Sequence, residues 1–218
     1  EPFHWRGDRN GLEEFAGAFI GLQGDDATLS AAEMQEFDDF LATITFPPNP
    51  FRNLDNTLPT NLPLPGHFTT GRFAPAGLPL PAGNAATGLS LYRTGNLDGG
   101  LMGANCSTCH TLPTGLGTDN SLSLGIPIPL PVLSPIPPGP NGERHLALVS
   151  VDGQTNVSMK VPQLRNMHER VGFDTSQVLN RAGFGFLHDG SVDTIARFVA
   201  EPVFNLANDQ QVADLVAF

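Results

Sequence analysis

The chain has 218 residues, of which 40% are hydrophobic, enough for one large domain or two small ones with a buried core. Its formal net charge of −11 disfavours nucleic acid, which calls for Lys/Arg patches absent here, and disfavours docking on anionic lipid. Glycine (24) and proline (20) together make up about a fifth of the chain, which predicts long ordered loops around a modest amount of regular structure. No apolar run approaches the length of about 18 residues that a membrane-crossing helix needs.

Taken in order, Asn10-Gly11-Leu12-Glu13 reads as a capping box, followed by Leu12, Phe15, Phe19 and Leu22 at helical spacing. Ser30-Ala31-Ala32-Glu33 is a second box, opening a helix with Met34, Phe37, Leu41 and Ile44 on one face, and Pro47-Pro48 is expected to stop it. Residues 47–84 are rich in Pro, Asn and Gly and read as an extended wrap. Gly88 to Gly103 leads into a helical turn at Cys106. Ile126 to Pro140 is a Pro-rich extended loop in a Leu/Ile/Val background, a candidate shield for a cofactor edge. Residues 144–151 predict a short strand, and Val161 to Val171 a helix after Pro162. Ser191 is the expected cap of a helix with Val192, Ile195, Phe198 and Val199 inward. Asn208 is the expected cap of the last helix, with Val212, Leu215 and Val216 inward.

The two cysteines both lie in Cys106-Ser107-Thr108-Cys109-His110. A thioredoxin-like pair would follow a strand, and 85–105 shows none. A zinc site would need two more ligands, and no second Cys pair or close His pair supplies them. Covalent attachment of one haem c uses every residue of the pentapeptide. Two thiols one helical turn apart reach the two vinyl groups on one haem edge, and the adjacent imidazole of His110 takes the iron as proximal ligand. Such attachment takes place outside the cytoplasm, so a periplasmic or extracellular location is expected. The chain opens at Glu1 without a methionine or a signal peptide, and reads as mature or trimmed.

A weak internal repeat is also present. Phe3-His4-Trp5-Arg6-Gly7-Asp8 and Leu187-His188-Asp189-Gly190-Ser191 each precede an amphipathic helix, a loop, a capping box and a second helix. Residues 1–46 therefore read as the tail of a preceding cytochrome c module, 47–84 as the wrap, and 85–218 as a haem domain.

Cys-x-x-Cys-His, then Lys160-Val161-Pro162-Gln163-Leu164-Arg165-Asn166, then Phe186-Leu187-His188-Asp189-Gly190-Ser191 resembles, in that order, the C-terminal haem domain of the bacterial di-haem cytochrome c peroxidase and MauG superfamily. The resemblance covers about residues 88–218. It implies an all-α, cytochrome c-like helical fold with long Pro/Gly-rich loops, and a 160–166 segment lying against the haem. Family members place an axial Met or Tyr about fourteen residues beyond the His of His-Asp-Gly; Pro202, which cannot ligate iron, stands there in this chain.

The sixth ligand must then come from elsewhere. Met102 is too close to Cys106 to cross to the distal face, and Met34 is expected to fill the core of its helix. His188 and Met167 stand level as distal candidates, with Met159 behind them. His188 has as its alternative a hydrogen bond to a propionate, and Met167 the packing of the helix face shared with Leu164 and Val171. Arg165 is a candidate partner for a haem propionate, because a guanidinium fork suits a carboxylate. His4 is expected to be structural beside Trp5, or to be lent to another subunit's haem.

The expectation is one-electron transfer with a redox partner protein, or with identical subunits whose haems form a relay. The alternative is a peroxidase or MauG-like oxidase with an open iron position and Glu201 or His188 as distal acid/base.

Overall fold

A computed structural model of the chain describes residues 3, 9, 11–45, 47–97, 103–113, 115, 120–123, 132–135, 149–150, 161–187 and 189–218. The first elements are a 3-10 turn, Leu12–Phe15, running into helix α1, Ala16–Gly21. Asn10 lies outside the described residues, and the residue before the turn is Gly11, whose extended backbone carries no side-chain cap. Helix α2, Ala31–Ala42, has the expected box: Ser30 Oγ accepts from Glu33 N–H, and the Glu33 carboxylate accepts from Ser30 N–H at 2.8 Å. Phe19 of α1 meets Phe37 of α2 edge-to-face at 5.5 Å, and Met34 is buried. Two expectations fail here. Leu22 (86% exposed) and Ile44 (60%) lie beyond the ends of their helices, where the helical phase no longer turns them inward. Helix α2 also stops ahead of Pro47-Pro48, where Thr43 Oγ1 donates to the Phe40 carbonyl at 2.7 Å.

The wrap contains neither helix nor strand, yet it is ordered by its own hydrogen bonds. Residues 62–83 fold back on themselves through isolated bridges at Leu62–Gly83 and Phe68–Pro79. Leu64-Pro65-Gly66-His67 is a type II turn, closed by His67 N–H to the Leu64 carbonyl at 3.2 Å. Gly66 takes the positive φ (+81°) that this turn demands of its third residue. The wrap is sewn to the far end of the chain by Arg72. Its guanidinium donates to the carbonyls of Ala200 (3.2 Å), Glu201 (2.9 Å), Phe204 (2.7 Å) and Leu206 (3.4 Å).

Helix α3, Ala85–Thr94, is capped by Asn84, whose Oδ1 accepts from Ala86 and Thr87 N–H. It crosses helix α6, Asp209–Ala217, whose cap is the expected Asn208, accepting from Gln211 N–H at 3.0 Å. The approach is close enough that a Cβ on Gly88 would sit 1.9 Å from the Asp214 carbonyl oxygen. Asp214, buried on α6, accepts from Asn84 N–H (2.8 Å) and Gln210 Nε2 (2.9 Å), tying the helix starts together. Val212 and Ala213 of α6 join Leu80, Leu97, Ala196, Ala200 and Leu206 in the core.

Helix α4, Cys106–Cys109, is the single turn expected at the pentapeptide. After it come strands β1, Asn120–Ser123, β2, Val132–Pro135, and β3, Val149–Ser150. They form one sheet in the order β2-β1-β3, with β1 antiparallel to β2 and parallel to β3. Strand β3 falls inside the expected 144–151, and β2 inside the Pro-rich loop; the rest of Ile126–Pro140 lies outside the described residues.

The helix expected over Val161–Val171 shrinks to a 3-10 turn, Met167–Val171. Asn166 sits in the left-handed region (φ 56°, ψ 31°), which breaks any helix entering from Pro162. The next helix, α5, Ile195–Val199, starts later than expected, with Thr194 and not Ser191 as cap. The residues between are claimed by a bridge, in which Phe186 N–H donates to the Val192 carbonyl at 2.6 Å. Among the described residues no helix is long and apolar enough to cross a membrane.

Candidate haem-attachment site

The turn at α4 is set by the residue just before it. Asn105 Oδ1 accepts from Thr108 N–H (3.1 Å), Ser107 Oγ (2.6 Å) and Thr108 Oγ1 (3.1 Å). One carboxamide oxygen thus gathers three donors, and the backbone between the cysteines closes as a helical turn, with His110 N–H donating to the Cys106 carbonyl at 2.9 Å. Both thiols are half-buried and no disulfide joins them. Cys106 packs on the core cluster beside α5 and α6.

His110 is half-buried immediately after the turn. Its Nδ1 lies 2.9 Å from the Gly115 carbonyl oxygen and 3.1 Å from that of Pro162. A carbonyl can only accept, so Nδ1 must carry the proton, and the lone pair is left on Nε2. Burial lowers the imidazole's pKa, partly opposed by the same two carbonyls, and keeps the ring neutral. A neutral imidazole with its second nitrogen committed to backbone is the state in which histidine ligates a metal.

The residue's own carbonyl is held as well: the Tyr92 hydroxyl donates to it from α3. Tyr92 is buried and its ring lies 5.1 Å from that of Phe218. Burial, then the charge of the neighbouring Cys106 and Cys109, raises its pKa well above the usual phenol value.

Of the other expected site residues, the contact at Pro162 brings the 161–171 segment to His110. Arg165 is exposed on that segment, and Met167 is half-buried at the start of its 3-10 turn. Arg170 anchors the segment to the next loop, through Nε to the Gly185 carbonyl at 2.8 Å and its own carbonyl to Gly185 N–H at 2.9 Å. His188 lies outside the described residues, as do His4, His145, Met102 and Met159. Leu187 beside it holds a left-handed backbone (φ 64°), a costly conformation for leucine. Pro202 is exposed in the loop that Arg72 clamps. Among the described residues, no group of three or more His, Cys, Asp and Glu side chains is gathered where it could hold a metal ion.

The residues that sequence reading passes over are Asn105, Tyr92, Gly115 and Arg72. Asn105 carries a usable signal, an Asx residue directly ahead of a helical turn. Tyr92 carries only its place on the inward face of α3, and Arg72 none.

Comparison of the chain with family models, with curated proteins and with solved structures finds no match.

Proposed function

We propose that the chain is a c-type cytochrome module that holds one haem on Cys106, Cys109 and His110 and transfers single electrons in an exported compartment. The observation that carries this reading is the state of His110. It follows a turn bearing two thiols, and its Nδ1 is bound to two carbonyls, so Nε2 is available as a ligand. Cys106 and Cys109 would hold the haem through thioether bonds, each thiol's sulfur and hydrogen adding across one vinyl group, which needs no oxidant. The bound haem supplies a one-electron iron couple. Arg165 is the residue proposed to meet a propionate, and His188 or Met167 to complete the axial pair. Cys106 packs on the core to which α5 and α6 contribute, with Leu91 of α3 beside it, and burial of this kind is one of the levers on a haem's potential. An acidic chain of net charge −11 suits a redox partner with a basic surface, and identical subunits in a relay are the other arrangement.

The test is expression with a c-type maturation system. Haem should remain with the polypeptide on a denaturing gel, and Cys106→Ala/Cys109→Ala should lose it. An intact motif that retains no covalent haem sinks the proposal. Optical and EPR spectra of the product then separate one-electron transfer from the peroxidase alternative. A low-spin iron whose signature changes in His188→Ala or Met167→Ala fits electron transfer, whereas a high-spin iron with peroxide turnover identifies the oxidase.

A further inference from the structure

We propose that Tyr92 is a positioning residue for His110, its hydroxyl fixing the histidine's carbonyl and thereby the rotation of the imidazole about its bond to the iron. The proposal rests on the c-type reading of Cys106–His110.

His110 caps α4 with φ −114° and ψ 79°, outside both helical and extended backbone. In that conformation neither a helix nor a strand supplies its carbonyl with a donor, and a partly buried carbonyl needs one. Tyr92 provides it from another element. The phenol is placed by the close approach of α3 to α6 at Gly88 and by the contact of the Tyr92 ring with Phe218. His110 is therefore fixed from two directions. Gly115 and Pro162 hold the ring nitrogen from the loop side, and Tyr92 holds the main chain from the helix crossing. With both ends constrained, the imidazole plane has one orientation. That orientation sets how the ligand's π orbitals mix with those of the iron, and so influences the potential.

Simple packing makes a different forecast, because a phenylalanine fills the same space without the hydroxyl. The experiment uses the mature, haem-loaded chain. In Tyr92→Phe the hyperfine-shifted haem-methyl resonances of the oxidised protein should change their spread, and the midpoint potential should shift. Met34→Ala, a core change on α2 outside the cluster that Cys106 packs on, should lower the melting temperature and leave the methyl pattern as in wild type. Should Tyr92→Phe fail to mature, a second route avoids mutation. The chain has one tyrosine, so growth on 3-fluorotyrosine labels position 92 alone and makes its hydroxyl a stronger donor. The methyl spread should then move opposite to the phenylalanine variant, or away from wild type if that variant is not obtained. A wild-type methyl pattern in the Phe variant or in the fluorinated protein overturns the role of Tyr92 and leaves the c-type reading standing. A wild-type chain that takes no covalent haem overturns both.

Discussion

Asn105 holds the turn between the cysteines with a single oxygen that meets three donors. Asn105→Ala should cost about 0.5–2 kcal/mol, the range for losing a helix cap, while Asn105→Asp should keep most of it. The cost should show in thermal melts and as a smaller fraction of chain with covalent haem. His67 sets a pH dependence. Its Nε2 is buried without a hydrogen-bond partner, and burial lowers its pKa below 6.5 against the opposing pull of the Pro65 carbonyl and Asp193. The unfolded chain therefore binds a proton near pH 6.5 that the folded chain refuses. This contribution to stability is complete above that pH and is lost as acidification carries the solution down to the folded pKa. Urea midpoints measured from about pH 7.5 to about pH 5 should fall, and His67→Gln should flatten the slope. An equally steep fall in the variant would assign the acid sensitivity to other groups.

Among the elements, the crossing of α3 and α6 leaves no room for one methyl group. Gly88→Ala gains up to about 1 kcal/mol of helix propensity, but its Cβ must displace the Asp214 backbone, and overpacking costs typically about 1–3 kcal/mol. A net loss in denaturant midpoint is expected, together with weaker holding of Tyr92. The elements also divide by how openly their residues announce them. The pentapeptide, the Ser30–Glu33 box and the Asn208 cap are visible in the sequence because each depends on residues within one turn. The helix expected over Val161–Val171 fails because Asn166 adopts a left-handed backbone and the Pro162 carbonyl is drawn to His110. The start of α5 moves to Thr194 because Val192 pairs with Phe186. Both displacements come from tertiary partners, which local propensity does not register.

For the molecule as a whole, Arg72 joins parts of the chain that sequence pattern leaves separate. Arg72→Ala removes a guanidinium from four carbonyls, and the loss should reach at least about 2 kcal/mol, since carbonyls left without a donor pay their own desolvation. Arg72→Lys, with one point charge in place of a fork, should recover only part of it. The surface charge of −11 makes a further forecast for the proposed partner. Association with a basic redox protein should slow steeply as ionic strength rises from about 0.01 to about 0.15 M, where screening shortens from about 30 to about 8 Å.

The same long-range stitching bears on the order of events during synthesis. Arg72 finds its carbonyls 128 to 134 residues further along the chain, and α3 packs on the last helix. A polypeptide emerging from its N-terminus therefore presents both thiols well before the helix that joins the core beside Cys106 has been made. The core on which Cys106 packs is therefore completed only when Val212 and Ala213 of the final helix arrive.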